Sequence, residues 1–183
     1  MVRLVDPGAM LATAHELKDG SAVRLRLARP TDTQRVRDFL ERLSPETRQR
    51  RFLAAMPAVP HALVRHFTFY DPRERLVVMA AAPSRVGEEV VGLGDVVLLE
   101  TGLAELGLVV EDERQGRGIG RLLSEAVASL AIRQGATHLK AEMLERNAAM
   151  LTLMRSLGTT VEAVEDGNAV AYVRLGAPRR RAA

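Results

Sequence analysis

The chain has no cysteine, no tryptophan, only six aromatic residues and only two lysines, Lys18 and Lys140. Without cysteine there are no disulfides, no thiolate metal sites and no cysteine nucleophile. That is compatible with a reducing cytoplasm, where the chain is expected to work. The shortage of aromatics and the lack of tryptophan count against a stacking surface for nucleic acid. No apolar run approaches the 18 residues of a membrane span, and Arg3, Asp6, His15 and Glu16 interrupt the first twenty residues, so no membrane anchor or signal peptide is expected.

The 183 residues suit one domain, and 47% hydrophobic with 27% charged residues is ordinary globular composition. Of 26 basic residues 24 are arginines, and the formal net charge is +3. The pI of 9.9 therefore reflects arginine's permanent charge more than a strongly basic surface. The four histidines show no metal-ligand spacing, and His61 and His66 stand five apart, poor helical geometry for one metal. No metal is expected.

Residues 1–20 read as an arm with one short helix, 21–176 as the domain, and 177–183 as a polar tail carrying Arg179, Arg180 and Arg181. Val23, Leu25 and Leu27 alternate with polar neighbours as a strand does. Thr31 with Gln34 makes a capping box for a helix carrying Val36, Phe39, Leu40 and Leu43. Ser44 caps a second helix with Pro45 at its first position, and Pro60 to Phe67 reads as a third. Leu76–Ala81, Glu89–Glu100 and Leu103–Glu111 follow as strands, with Gly92 and Gly94 marking a bend and Thr101-Gly102 a hairpin turn. Gly118–Gln134 is the clearest helix, its apolar residues recurring at i, i+3 and i+4. A strand at His138–Met143, a helix from Asn147 to Leu157, and strands Thr160–Glu165 and Ala169–Leu175, turning at Asp166-Gly167, complete the chain. This order predicts a mixed α+β (α/β) fold: a mostly antiparallel twisted sheet of about seven strands flanked by helices, with one crossover through the long helix.

The chemistry is concentrated where a strand ends at Val109-Val110 and Gln115-Gly116-Arg117-Gly118-Ile119-Gly120 opens the best helix. A helix N-terminus offers unpaired N–H groups and partial positive charge, and glycines let an anion approach closely. The segment has no lysine, so it is no P-loop, and Arg121 stands where a dinucleotide fingerprint needs glycine. Three glycines in five residues are costly for packing alone, at about 1 kcal/mol each inside a helix. The alternative, a plain cap with small residues, is thereby disfavoured.

Gln115-x-x-Gly118-x-Gly120 resembles the Q/R-x-x-G-x-G/A motif of the GNAT superfamily of acyl-CoA-dependent N-acyltransferases. The likeness extends to the preceding strand, the following helix, and Glu145-Arg146-Asn147 leading to Leu157-Gly158. Leu17 to Arg29, Ser44-Pro45-Glu46-Thr47-Arg48 and Arg51-Phe52 are similar to the acetyltransferase domain of bacterial Pat-type protein-lysine acetyltransferases. The resemblance implies acetyl-CoA, or another short acyl-CoA, as cosubstrate. Its pyrophosphate would lie on the backbone of Gly116, Arg117, Gly118, Ile119, Gly120 and Arg121, with Gln115 bracing the loop. Its pantetheine would pair with Leu108, Val109 and Val110, and an N–H near Val109 would meet the oxyanion. Arg117, Arg121 and Arg155 are candidate phosphate contacts or ordinary solvated charges. Asn147 is a pantetheine contact, a helix cap, or both.

The resemblance also implies direct attack of an amine on the thioester. Deprotonating a lysine at pH 7 costs about 4.6 kcal/mol, so a general base is needed. Glu105 is the chosen base: relatives carry an acidic residue there, and by alternation it shares a face with Gly107 and Val109. Asp95 and Glu142 are weaker candidates. Met154 stands where many GNAT enzymes place a thiolate-protonating tyrosine. A protein lysine is the leading acceptor and a small amine the runner-up, with the helices between Thr31 and Phe69 forming the acceptor side. Arg48, Arg50 and Arg51 either steer an acidic protein surface or are plain solvated charge. A non-catalytic CoA-binding domain is the rival reading. Monomer or homodimer is expected.

Overall fold

The structure is a computed structural model and describes residues 6–85, 87–100, 102–158, 160–165 and 168–175. Among the described residues six α-helices and eight strands follow one another: α1 Pro7–Ala12, β1 Ala14–Glu16, β2 Ala22–Leu27, α2 Thr33–Arg42, α3 Pro45–Phe52, α4 His61–Thr68, β3 Arg75–Ser84, β4 Gly87–Glu100, β5 Leu103–Val110, α5 Ile119–Arg133, β6 His138–Met143, α6 Ala148–Leu157, β7 Thr160–Glu165 and β8 Asn168–Arg174. One sheet runs in the order β1-β2-β3-β4-β5-β6-β8-β7. Only β5 and β6 are parallel, joined through α5. The additional strand is β1, paired with β2 at the edge. Three residues are too few to show a period, so its pairing partner defines it.

Apolar residues cover both faces. On one, Leu123, Val127 and Leu130 of α5 and Met154 of α6 pack with Ala104, Leu106 and Val110 of β5. On the other, Phe39, Leu40, Val64 and Phe67 of α2 and α4 pack with Val77, Met79, Leu93 and Val109. Gly92 and Gly94 let α5 lie close to the sheet. A Cβ at Gly92 would stand 3.0 Å from Leu123 Cδ1, and one at Gly94 3.1 Å from Val127 Cγ2. The pairing of β3 with β4 also shifts register beside Gly92, between Ala80 and Ala81, so the expected bend coincides with a bulge.

Local signals at the helix starts fare differently. Ser44 Oγ accepts from the Thr47 N–H at 3.1 Å, with Pro45 at the first helical position, as expected. The Thr31–Gln34 capping box does not form. Residues Pro30–Asp32 make a 3-10 turn, and Gln34 instead donates to Asp38 at 2.7 Å. Asp32 holds that turn, accepting from the Arg29 N–H at 2.9 Å and from Arg26 at both its oxygens, at 2.7 and 2.8 Å. Burial alone would raise the Asp32 carboxyl; the hydrogen bonds from Arg26 and the Arg29 N–H bring it below its ordinary value. Thr101, the Asp166-Gly167 turn and the arginine tail lie outside the described residues.

Candidate active site

The strand that ends at the glycine loop is paired unequally on its two sides. β5 pairs with β4 from Leu103 to Val110, but with β6 only over Leu103, Ala104 and Glu105. Beyond Glu105 the two parallel strands part, so the β6-facing edge of Leu106–Val110 has no ladder partner. A cluster of side chains fixes the loop at the end of this edge. Gln115 Nε2 donates to the Val110 carbonyl at 3.1 Å. Asp112 accepts from the Ser44 N–H at 2.9 Å, the Ser44 hydroxyl at 2.7 Å and the Thr47 hydroxyl at 2.6 Å. Ser44 and Thr47 thus tie the start of α3 to the loop. Burial pushes the Asp112 carboxyl up, but these bonds hold it below its ordinary value.

Gly116 and Gly118 have φ of +76° and +106°, conformations that side chains avoid. They turn the chain into α5, whose N-terminus carries no side-chain cap hydrogen bond. Its first N–H groups are the ordinary unpaired donors of a helix start, aimed at whatever anion the loop admits. A Cβ at Gly116 or Gly118 would meet nothing within 4 Å; at Gly120 it would meet Leu153 Cδ1 of α6 at 3.3 Å. Open space, uncapped donors and an unpaired strand edge together fit a phosphate-bearing ligand with an extended amide arm.

The candidate arginines have partners within the chain. Arg117 pairs with Asp19 at 2.5 Å and donates to the Glu113 carbonyl at 2.7 Å. Hydrogen bonds from Ser21, with help from Arg117, lower the Asp19 carboxyl to about 2. Arg121 pairs with Glu125 at 2.8 Å and Arg155 with Glu162 at 2.6 Å. Asn147 Oδ1 accepts from the Met150 N–H at 3.2 Å, so it caps α6. Met154 is fully buried in the core. Tyr70 instead donates to the Ala28 carbonyl at 2.9 Å and Tyr172 to Glu165 at 2.6 Å.

On the opposite face of β5, a cleft of about 180 Å³ is lined by residues that include Arg51, His66, Arg75, Asp95, Glu105 and Gly107. Asp95, only 4% exposed, lies between two guanidinium groups. Arg51 Nη2 donates to one oxygen and Arg75 Nη1 to the other, the latter at 3.1 Å. This occupies Asp95 as the shared counter-ion of two guanidinium groups and leaves Glu105 as the other carboxylate of the cleft. Glu142 is placed elsewhere, accepting from Asn168 at 2.8 Å. Burial and the nearby Arg75 lower the pKa of His66 below its ordinary value, which favours the neutral imidazole. The sequence offered one clue to the trio: Asp95 interrupts the apolar run Val90 to Leu99, and a carboxylate in a buried strand needs a cation.

Residues 33–159 match the model of the acetyltransferase (GNAT) family. The chain belongs to this family. Acetyltransferase PA5475 of Pseudomonas aeruginosa is 28% identical over 160 residues, covering 87% of this chain and 86% of its own. The GNAT domain of the S. lividans protein PAT is 28% identical, with a TM-score of 0.79 over 89% of this chain and 96% of that one. A GNAT phosphinothricin acetyltransferase from Sinorhizobium meliloti, solved with AcCoA, shares the fold at 18% identity, with a TM-score of 0.65 over 84% of this chain and 89% of that one. The GNAT assignment makes the protein an acyl-CoA-dependent N-acyltransferase with acetyl-CoA as its cosubstrate. Among the described residues no helix is long and apolar enough to cross a membrane.

Proposed function

We propose that this GNAT protein acetylates a lysine side chain of another protein, with Glu105 as the general base. One arrangement carries the reading. Glu105, Gly107 and Val109 share the face of β5 that lines the cleft, and the unpaired edge of the same strand runs alongside at Leu108–Val110. An acyl-CoA whose pantetheine pairs with that edge brings its thioester to Val109, two positions from Gly107 and four from Glu105. The pyrophosphate rests on the N–H groups from Gly116 to Arg121, with Gln115 holding the loop to Val110. Asn147 serves first as the cap of α6, with its amide nitrogen left for the pantetheine.

The amine reaches the thioester carbon from the cleft. Its proton passes to Glu105 along bridging waters in the cleft, nitrogen bonds to carbon, and the Val109 region meets the oxyanion with an N–H. Collapse of the adduct breaks the C–S bond and releases coenzyme A thiolate. Solvent protonates the thiolate, since Met154 carries no proton. The preference for a protein lysine rests on the likeness to the Pat-type domain, including Ser44-Pro45-Glu46-Thr47, whose side chains reach Asp112 of the loop. We take residues 21–176 as the domain responsible, in a cytoplasmic setting where acyl-CoA is available.

Glu105→Gln tests the base. Acetyl-CoA binding should persist while kcat/KM falls by about 10²–10⁴. Unchanged turnover would show that Glu105 is not the base. Acetyl-CoA binding without transfer to any amine in the wild type would favour a non-catalytic CoA-binding domain.

A further inference from the structure

We propose that the acceptor lysine is presented beside a carboxylate and that Arg51 binds this carboxylate. This rests on the reading of β5 as the catalytic strand. The guanidinium of Arg51 lies directly on Gly107: a Cβ there would overlap its Cζ and Nη2 and come within 2.7 Å of Nη1. The missing side chain at Gly107 is therefore what admits the guanidinium to the strand. Gly107 stands between Glu105 and Val109 on the cleft face, so Arg51 sits between the base and the thioester end.

The group is held, yet most of its hydrogen-bonding capacity is unspent. Phe52 and Phe67 flank it, with ring centroids 5.3 and 5.8 Å from Cζ. Its side chain is 18% exposed. Of its five N–H donors, Nη2 engages Asp95. Among the described residues, the buried side-chain atoms without a partner are Arg48 Nε and Ser129 Oγ, so the remaining donors of Arg51 are not sealed in protein. Charge points the same way. The ionisable groups facing one another are Arg51 from α3, His66 from α4, Arg75 from β3, Asp95 from β4 and Glu105 from β5. Asp95 is shared by two arginines and Glu105 is reserved for the proton. With Glu105 ionised the two guanidinium groups face two carboxylates; once Glu105 takes the acceptor's proton one positive charge is left over, and a carboxylate arriving with the lysine neutralises it. Charge-assisted, two-pronged recognition of carboxylate is what a fixed guanidinium does best.

Spacing narrows the source. Alternate residues on a strand are separated by about 7 Å, so the carboxylate at Gly107 and the amine at Val109 stand about that far apart. An aspartate or glutamate next to the target lysine spans this distance. An α-amino group with its own carboxylate is too short. The ε-amine and α-carboxylate of free lysine also reach, so a small-molecule arm is needed.

The test compares kcat/KM for a lysine peptide with Asp or Glu beside the lysine against the same peptide with Asn or Gln. The small-molecule arm compares Nα-acetyllysine with its carboxamide. Enzymes are wild type, Arg51→Gln and Arg51→Lys, at saturating acetyl-CoA. The wild type should prefer the acidic peptide by about 10- to 100-fold. In Arg51→Gln the ratio should collapse towards one, mainly through KM, while Arg51→Lys keeps part of it. Calorimetric binding of the same peptides in the presence of coenzyme A should show the same ranking, which separates recognition from chemistry. Equal binding of acidic and neutral peptides by the wild type would overturn the proposal. So would an Arg51→Gln variant that scales both peptides down, or both up, by one factor. A retained binding preference without turnover would count against the catalytic reading of Glu105 and support the role of Arg51. A preference confined to Nα-acetyllysine would overturn the flanking residue as the source.

Discussion

Replacing Gly118 by alanine should damage acetyl-CoA binding and stability together, and the same change at Gly120 should be the milder one. The reason is backbone conformation. Gly118 has φ +106° and ψ −7°, where an L-residue costs about 1–3 kcal/mol. Its Cβ would meet nothing within 4 Å, so crowding adds nothing. Gly120 lies in the first turn of α5, where alanine gains about 1 kcal/mol of helix propensity. Against this, its Cβ would press at 3.3 Å on Leu153 Cδ1, the end of a flexible side chain. The tolerance of Gly or Ala at the last motif position, but only Gly two residues earlier, follows from these two geometries. If the strain at residue 118 persists in free and bound protein alike, it lowers stability, and Tm falls by about 2–12 °C. If the free loop relaxes, its N–H groups turn away and binding bears the cost, about 5- to 150-fold in Kd. The two losses, from thermal unfolding without ligand and from calorimetry with acetyl-CoA, should together amount to about 1–3 kcal/mol. Wild-type values for Gly118→Ala in both assays, or a Gly120→Ala variant harmed as much, would refute the reasoning.

Asp112→Ala removes the acceptor shared by Ser44 and Thr47. Because the carboxylate is partly solvated, the cost should be about 1–2 kcal/mol, seen as a Tm loss of a few degrees together with weaker acetyl-CoA binding. Since the folded carboxyl titrates below its ordinary 3.8, its stabilisation is complete above that pH and is lost as pH falls through the depressed value. Asp112→Asn should therefore show a shallower acid limb of Tm below about pH 4, and an unchanged limb would exclude this contribution. Asp32→Ala strips a buried carboxylate from Arg26 and should cost about 3–5 kcal/mol in chemical denaturation; a loss under 1 kcal/mol would mean that Glu88 alone suffices for Arg26.

What was legible in the sequence was local. The apolar stripe of α5, the Ser44 cap with Pro45, and the glycine loop each depend on residues a few positions apart. Their chemistry was readable without knowing the fold, and the family resemblance rested on the same residues. Features built across the sheet were not readable. Strand β1 exists because β2 pairs with it, and the Thr31–Gln34 box fails because Thr31 lies inside the 3-10 turn Pro30–Asp32, which Asp32 holds by accepting from the Arg29 N–H and from Arg26 of β2. Gly92 and Gly94 read as a bend, yet they also make room for α5. The trio in the cleft joins Arg51 to Asp95 across 44 residues and Arg75 to Asp95 across 20. With 24 arginines in the chain, no spacing rule singles out these two. Arg117, Arg121 and Arg155 had the right positions to be phosphate ligands; Glu125, four residues after Arg121 on the same helix, was within reach of a spacing rule, but Asp19 and Glu162, which engage the other two, became visible only in three dimensions.

Calorimetric titration of the purified chain with acetyl-CoA tests the central claim most directly, run on the wild type, Glu105→Gln and Gly118→Ala. The predicted result is one site per chain with micromolar affinity, retained in Glu105→Gln and weakened in Gly118→Ala. No binding by the wild type, or a Gly118→Ala variant with both wild-type affinity and wild-type Tm, would contradict the placement of acyl-CoA on the glycine loop and the open edge of β5.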